Sequence, residues 1–298
     1  MNYITYLAHG NIGYINECRF SLLKFLQVYN LYPPADLGVI IYTDQPQAFE
    51  NFIPFFKSFH LEPINQSILT TWIEGTNYVH RAKTKMIQDA LTKHPGNLIF
   101  FDTDTYVTGP IEDMWSDIDQ GIVYMHLKEG IIDRKVNKYF YKWDRFLERA
   151  SIRYGTKSFV YDKNFAIWNS GVMGLSVNHL PVLDDVLLLI DSIHQQFPKH
   201  ITEQVAVSYC FGEAYTIKAS ECKVAHYWNL KEFRHLLTTF FARNLEESIP
   251  NLVKKAHHID ALSMMQQKHA FKQLPSLQRL FKSITGSAWN ISRYEKKL

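Results

Sequence analysis

Two aspartates at the end of an apolar run are the first residues in this sequence that suggest chemistry. Residues 97–110 read NLIFFDTDTYVTGP, so the apolar residues LIFF lead directly to Asp102 and Asp104, with Thr103 between them. Side chains two residues apart on an extended chain point the same way, so two carboxylates can meet one hard divalent cation. Such a cation keeps open positions for water and phosphate oxygens. The alternative is a surface turn in which the acids cap the next segment.

Two basic residues upstream suit the same kind of site. HRAKTK places Arg81 and Lys85 four residues apart on a predicted helix, so they share a face, while Ala82, Met86 and Ala90 form its buried stripe. We predict that these cations face the crevice that holds the acids. The alternative is a solvated helix face, which is the commoner place for Arg and Lys.

Polar residues also interrupt an apolar strand in the stretch WNSGVMGL. Asn169 offers hydrogen-bond donors and acceptors, Ser170 follows it, and Gly171 permits close approach of the backbone to a ligand. A bulge or an edge turn explains these residues equally well.

The last two stretches lie in the second half of the chain. In ITEQVAVSY, Thr202 is the predicted N-cap and Glu203 and Gln204 fall in the first helical turn, for which favourable helix-start chemistry is the simple explanation. KVAHYW places His226 at a strand end. A lone histidine is more often structural, but here it would complete a metal site of two carboxylates and one imidazole.

The elements that must position these residues alternate along the chain. The strand-like runs ITYLAHG and GVIIYTD precede the helix-like NECRFSLLKFLQVY and AFENFIPFFKSF, and HRAKTKMIQDALTKH precedes the LIFF strand. This order predicts an α/β fold, and GIVYMHL, FAIWNSGVMGL, TIKA and KVAHYW extend it into a mixed sheet flanked by helices. Ligands of such sheets bind beyond the carboxyl ends of the strands, which is where the two acids would lie.

Composition sets the outer limits. The 298 residues are 46% apolar, enough for one large domain or two small ones, and a net charge of +3 favours neither a nucleic-acid partner nor a disordered acidic chain. Three scattered cysteines favour a reducing compartment, and no signal-like or membrane-spanning apolar run occurs. We therefore expect a cytoplasmic protein, with a catalytic domain over residues 1–250 and a basic segment over 251–298.

That basic segment suggests a membrane surface as a partner. From residue 254 onward, nine Lys and Arg stand against two acids. Leu277, Leu280, Phe281 and Ile284 recur at helical spacing with basic residues beside them, which is typical of an amphipathic helix on an anionic membrane. The location would then be peripheral, at the inner face of the membrane. The alternative is a helix that packs this stripe on the catalytic domain.

Taken in order, the blocks resemble a known family. They are similar to blocks of the GT-A glycosyltransferases, in particular the retaining family that includes glycogenin and bacterial lipooligosaccharide galactosyltransferases. The blocks are YLAHGNIGY, RAKTK, NLIFFDTDTYVTGPIEDMW, WNSGVMGL, TEQ and VAHYW. The resemblance covers roughly residues 3–235. It implies a Rossmann-like GT-A fold, a nucleotide-sugar donor that is usually a UDP-sugar, a saccharide or lipid-linked glycan acceptor, and Mn²⁺ or Mg²⁺.

The resemblance also implies roles for individual residues. It puts Ala8 and Tyr14 against the nucleobase, and it puts Arg81, Lys85 and Thr103 beside the donor. The metal ligands would be Asp102, Asp104 and His226. Asn169 and Ser170 would lie in the sugar pocket, and Glu203 and Gln204 would lie near the reacting carbon. Two departures stand out. HYWNLKEF lacks the glycine and the Pro-Trp that usually flank the diphosphate-binding Lys, here Lys231, and Glu203 stands where Asp is commoner.

Two other functions fit parts of the same pattern. An apolar strand ending in DxD also resembles the first motif of haloacid-dehalogenase-type phosphatases, although there it usually lies near the N-terminus. A non-catalytic nucleotide-sugar or glycan-binding protein would suit the 14% aromatic content. Whether a transferase would use a side-chain nucleophile or same-face attack by the acceptor stays open.

Overall fold

The computed structural model describes residues 1–133, 135–136 and 138–295. These residues form thirteen strands: β1 (Asn2–Ala8), β2 (Leu37–Thr43), β3 (Ser58–Pro63), β4 (Asn97–Phe101), β5 (Thr105–Val107), β6 (Val123–Met125), β7 (Lys128–Ile131), β8 (Arg153–Tyr154), β9 (Lys157–Ser158), β10 (Ala166–Trp168), β11 (Val172–Ser176), β12 (Ile217–Ala219) and β13 (Val224–His226).

The same residues form twelve α-helices: α1 (Ile12–Val28), α2 (Gln66–Ile73), α3 (Arg81–Lys93), α4 (Glu112–Asp119), α5 (Lys138–Leu147), α6 (Leu180–Gln196), α7 (Thr202–Ala214), α8 (Phe233–Arg243), α9 (Ile249–Ala256), α10 (Ala261–Gln273), α11 (Ser276–Ile284) and α12 (Ser292–Glu295). None of the helices in the described ranges combines the length and apolar character needed to cross a membrane.

A seven-stranded sheet organises the chain, in the order β12-β6-β11-β4-β1-β2-β3. β4, β1, β2 and β3 run parallel to one another, and β11 runs antiparallel to both β4 and β6. Every residue of β2, β4 and β11 is buried, as expected for strands covered by helices on both faces. The predicted mixed α/β sheet flanked by helices is confirmed.

The helices cover the sheet in two layers, each with its own apolar cluster. One cluster joins α1, α4, α8 and α9 to one face, and the other joins α3, α6 and α7 to the opposite face. Small two-stranded sheets lie beside the main one, and β5 paired with β13 and β7 paired with β10 surround the carboxyl end of β4.

Three local predictions were wrong. AFENFIPFFKSF forms two short 3₁₀ segments, Pro46–Ala48 and Glu50–Phe55, followed by β3, because Pro54 has no N–H for an α-helical bond. FAIWNSGVMGL is two strands, β10 and β11, which belong to different sheets. Ile201, not Thr202, is the N-cap of α7, since the Thr202 hydroxyl donates to the Lys199 carbonyl.

The C-terminal segment divides into a packed part and an exposed part. Buried side chains of α9 and α10 belong to the same cluster as α1 and α8, so the predicted boundary at residue 250 falls within a packed region. Helix α11 has no buried residue. The stripe predicted from the sequence is exposed over its whole length, with fractions of 81% for Leu277, 58% for Leu280, 67% for Phe281 and 77% for Ile284.

Candidate metal and donor site

The two aspartates lie in a tight turn at the carboxyl end of β4. The backbone N–H of Asp102 donates to the carbonyl of Gly171 at 2.8 Å, and the carbonyl of Asp102 accepts from the backbone N–H and hydroxyl of Thr105. Both carboxylates are partly exposed, whereas Thr103 between them is buried. The turn therefore presents the two acids at the sheet edge and turns the spacer inward.

His226 reaches the acids through backbone pairing. In the antiparallel ladder of β5 and β13, His226 lies opposite Thr105, and the next residue, Tyr227, donates its N–H to the carbonyl of Asp104 at 3.0 Å. The His226 Nε2 donates to Asp104 Oδ1 at 3.1 Å. Ligand atoms of Asp102, Asp104 and His226 all lie within 4.8 Å of one another. The predicted trio is thus brought together at one point.

Gly171 makes room for the His226 ring. A Cβ built at Gly171 would lie 2.4 Å from Cε1 of His226 and 2.7 Å from its Nδ1, closer than any real contact. The group that approaches Gly171 most closely is therefore the ring of His226, which is itself a candidate metal ligand. The sequence had suggested that the space beside this glycine serves a bound substrate or cofactor. Asn169 Oδ1 accepts from the Gly171 N–H at 2.9 Å and fixes the turn.

The charges of the trio fit a divalent cation. Burial raises the pKa of Asp102, against the lowering effect of Lys83. Burial also opposes ionisation of Asp104, but the hydrogen bond and charge of His226 outweigh it and lower the pKa of Asp104. The pKa of His226 is raised, because Asp104 more than offsets the effect of burial. The buried Nδ1 of His226 has no hydrogen-bond partner among the described residues. Two carboxylates and one imidazole suit Mg²⁺ or Mn²⁺.

Lys83 is the cation that lies beside this trio. Its Nζ donates to Ser170 Oγ at 2.8 Å and to the Ser170 carbonyl at 3.1 Å, and it lies 3.2 Å from Glu203 Oε1. Burial lowers the pKa of Lys83, but the charges of Asp102 and Glu203 outweigh that effect, so the net pKa is raised. The site therefore contains a buried, charged lysine.

The prediction that Arg81 and Lys85 face the acids was wrong. They lie on the side of α3 that faces α6, where Arg81 Nε pairs with Asp191 at 2.7 Å and Lys85 Nζ donates to Gln88 Oε1 at 2.8 Å. The signal for Lys83 was present in the sequence. Lys83 precedes Ile87 by one helical turn, and Ile87 widens the buried stripe so that it includes position 83.

Glu203 completes the buried polar group around Lys83. The Ser170 hydroxyl donates to Glu203 Oε2 at 2.8 Å, and the Glu203 N–H donates to the hydroxyl of Tyr78 at 3.1 Å. Burial raises the pKa of Glu203, which Lys83 and Ser170 oppose. Gln204 follows in the same turn of α7 and is half-buried.

The remaining predicted residues extend the site on either side. Asn169 donates to Glu129 Oε1 at 2.9 Å, which joins the turn before β11 to β7. Ala8 is buried at the end of β1, and Tyr14 is 39% exposed in the first turn of α1. The Thr103 hydroxyl does not face the open edge, because it donates to Glu17 Oε2 of α1 at 3.1 Å.

Comparisons with known proteins find likenesses among solved structures only. No protein-family model matches the chain, and no curated protein matches it. Among solved structures, the apo form of mouse xyloside xylosyltransferase 1 is similar at a TM-score of 0.48 and 10% identity, over 74% of this chain and 86% of that one. A likeness of this degree assigns no activity, so the functional argument rests on the site itself.

Four residues of the site were not anticipated from the sequence. They are Glu17, Lys83, Glu129 and Arg234, and each is a charged side chain within or beside the buried polar groups described above. Glu17 and Arg234 follow no local motif, because they meet across 217 positions of the chain.

Proposed function

We propose that this chain is a metal-dependent glycosyltransferase of the GT-A type, which moves a sugar from a nucleotide-diphosphate sugar to a saccharide or lipid-linked acceptor. One observation carries the proposal. Asp102, Asp104 and His226 converge at the carboxyl edge of a mixed α/β sheet, directly beside the buried cation of Lys83. This arrangement suits a ligand that carries both a diphosphate and a reacting sugar.

Asp102, Asp104 and His226 would hold Mn²⁺ or Mg²⁺. When bound, the ion supplies positive charge that neutralises a departing diphosphate. Lys83 keeps a second positive charge close to the acids, and Ser170 and Glu203 hold its ammonium in place. A fixed cation stabilises developing negative charge more in the transition state than in the ground state.

Glu203 and Gln204 are the candidates for the reactive face of the sugar. Glu203 is held by Lys83 and Ser170, which fixes its carboxylate. Asn169 precedes Ser170 in the chain, and the amide N–H that it does not donate to Glu129 would meet a sugar hydroxyl. We propose retention of configuration, with a UDP-sugar as donor and a hexosyl group transferred. Attack by a side-chain nucleophile and same-face attack by the acceptor both remain compatible with this arrangement.

We also propose a cytoplasmic location at the inner face of an anionic membrane. Support comes from α11, whose apolar stripe is exposed, and from its surroundings. Residues 261–294 contain five Lys and Arg and no acidic residue. Apolar insertion and attraction to anionic headgroups would then act together.

A donor screen tests the enzymatic proposal. We expect hydrolysis or transfer from at least one nucleotide sugar, among UDP-, GDP- and dTDP-sugars, only when Mn²⁺ or Mg²⁺ is present. Metal-dependent hydrolysis of simple phosphate monoesters with no cleavage of any nucleotide sugar would favour a phosphatase. Tight binding of a nucleotide sugar without turnover, with or without an acceptor mixture, would favour a binding protein.

A further inference from the structure

The departures around Lys231 leave open which residue contacts the diphosphate of the donor. Lys231 is exposed in the turn between β13 and α8. Three positions later, Arg234 lies in the first turn of α8, and its side chain is only 28% exposed. The two residues therefore offer two different cations close to the candidate metal ligands.

The Arg234 side chain is fixed against α1 from several sides. Its Nε donates to Glu17 Oε1 at 3.0 Å, and its guanidinium carbon lies 4.3 Å from the centre of the Tyr14 ring. Gly13 leaves room for its aliphatic stem, because a Cβ at that position would lie 3.1 Å from Arg234 Cδ. This packing removes much of the rotamer freedom that an exposed arginine would have.

The same contacts place the guanidinium between two parts of the site. Tyr14 is the residue predicted to contact the nucleobase. On the other side, Glu17 binds the Thr103 hydroxyl between the two aspartates, and the charge of Arg234 acts on Asp104. A nucleoside diphosphate that spans Tyr14 and Asp104 would pass this guanidinium.

The terminal nitrogens of Arg234 are free to bind a ligand. Its Nε is used by Glu17, whereas neither Nη donates to any residue in the part of the chain that the structure describes. A guanidinium held in this way presents a planar fork of donors that matches two phosphate oxygens.

We propose that Arg234, rather than Lys231, is the residue that binds the diphosphate of the donor. The inference rests on the proposed function, since it assumes a nucleoside diphosphate at this site. Glu17 acts as a positioning residue that orients the guanidinium, and Lys231 contributes only general positive charge.

Titration calorimetry with UDP, UMP and uridine tests this assignment in the full-length chain. Each ligand is measured with Mn²⁺ and again with a chelator, for the wild type, Arg234→Met, Arg234→Lys and the matched control Lys231→Met. Loss of charge-assisted bonds in Arg234→Met should weaken UDP about 10- to 100-fold in both conditions. Uridine affinity should change by less than about threefold, since uridine carries no phosphate. The UDP affinity of Arg234→Lys should lie between those of the wild type and Arg234→Met, and the UDP affinity of Lys231→Met should resemble that of the wild type.

Two results separate failure of this inference from failure of the proposed function. Normal UDP affinity in Arg234→Met together with weakened binding in Lys231→Met would overturn the inference alone. No binding of any nucleoside diphosphate by the wild type would overturn the proposed function and the inference with it. If Arg234→Met does not fold, Glu17→Gln/Arg234→Met removes the buried unpaired carboxylate and should show the same selective loss of UDP affinity.

Discussion

Lys83 and Glu203 form an ion pair of 3.2 Å in which both side chains are almost fully buried, at 10% and 3% exposure. Burying each charge costs desolvation free energy, and the attraction between the two charges offsets that cost. A buried pair of this kind is weak evidence for stability but good evidence for a fixed charge at a defined position. Ser170 holds both partners through its hydroxyl, so the three side chains behave as one unit.

The first prediction compares two lysines of the same helix. Lys83→Met should lower kcat/KM at least about 100-fold per folded molecule, because it removes the cation beside the reacting groups. Lys85→Met should stay within a few-fold, since Lys85 lies on the α6 side of α3. Steady-state kinetics on both variants decides the point, and equal losses would contradict it.

Stability measurements on variants of Lys83 and Glu203 separate a loss of catalysis from a loss of folding. Lys83→Met leaves Glu203 buried without its partner, at a cost of about 3–5 kcal/mol. Lys83→Met/Glu203→Gln should recover most of the melting temperature and none of the activity. Activity that returned together with stability would show that Lys83 has only a structural role.

The second prediction concerns the metal. Asp104→Asn should remove the Mn²⁺-dependent part of UDP binding while the thermal unfolding transition stays cooperative. Asp113→Asn is the matched control, because Asp113 is 59% exposed and pairs only with Lys223 in the described ranges. Calorimetry with and without Mn²⁺ gives the comparison. Undiminished metal dependence in Asp104→Asn would argue against the site.

The third prediction uses two glycines. Gly171→Ala should weaken Mn²⁺ binding at least about tenfold, because the new Cβ displaces the His226 ring from its place beside Asp104. Gly212→Ala is the control. It lies in α7 with nothing within 4 Å of its Cβ position, and it should stabilise the fold by about 0.5–1 kcal/mol. Equal metal affinity in the two variants would contradict the role given to Gly171.

The fourth prediction follows from Glu17. Burial and the nearby Asp104 raise its pKa to about 7, against the lowering effect of Arg234. A carboxyl whose folded-state pKa is raised contributes stability that is present below its ordinary pKa of 4.5 and is lost as the pH rises through about 7. Between pH 4.5 and 8, wild-type stability should therefore fall relative to Glu17→Gln by up to about 3 kcal/mol. Parallel urea titrations across this range measure the difference, and a constant difference would rule the effect out.

The fifth prediction concerns α11. Leu277→Ser should weaken partition onto anionic vesicles at low salt about tenfold, because it removes an apolar side chain from the inserted stripe. Leu245→Ser is the matched control, with a leucine that is 76% exposed outside α11, against 81% for Leu277. Co-sedimentation with anionic and neutral vesicles provides the measurement. Identical binding of the two variants, or binding unaffected by salt, would exclude this surface.

The sequence was sufficient wherever the signal was local. The apolar runs that became β1, β2 and β4 predicted the sheet, and the acids that follow β4 predicted the edge at which the candidate metal ligands meet. Sequence reasoning failed for Lys83 because the prediction followed the spacing of Arg81 and Lys85 and overlooked how far the buried stripe of α3 extends. It failed for Arg234 because no short-range pattern reports a contact with Glu17 in a distant helix. Pairings of this kind are fixed by the packing of α8 on α1, which only the fold determines.

The pairing of β5 with β13 has a consequence for how the chain becomes functional. Asp104 and His226 are 122 positions apart, and the antiparallel register that joins their strands brings them together. A nascent chain that has emerged only as far as α7 already carries both aspartates, yet it cannot assemble the trio. Under the proposed function, an ion could bind the complete trio only after β13 has joined β5, and it would then link the first half of the chain to the second.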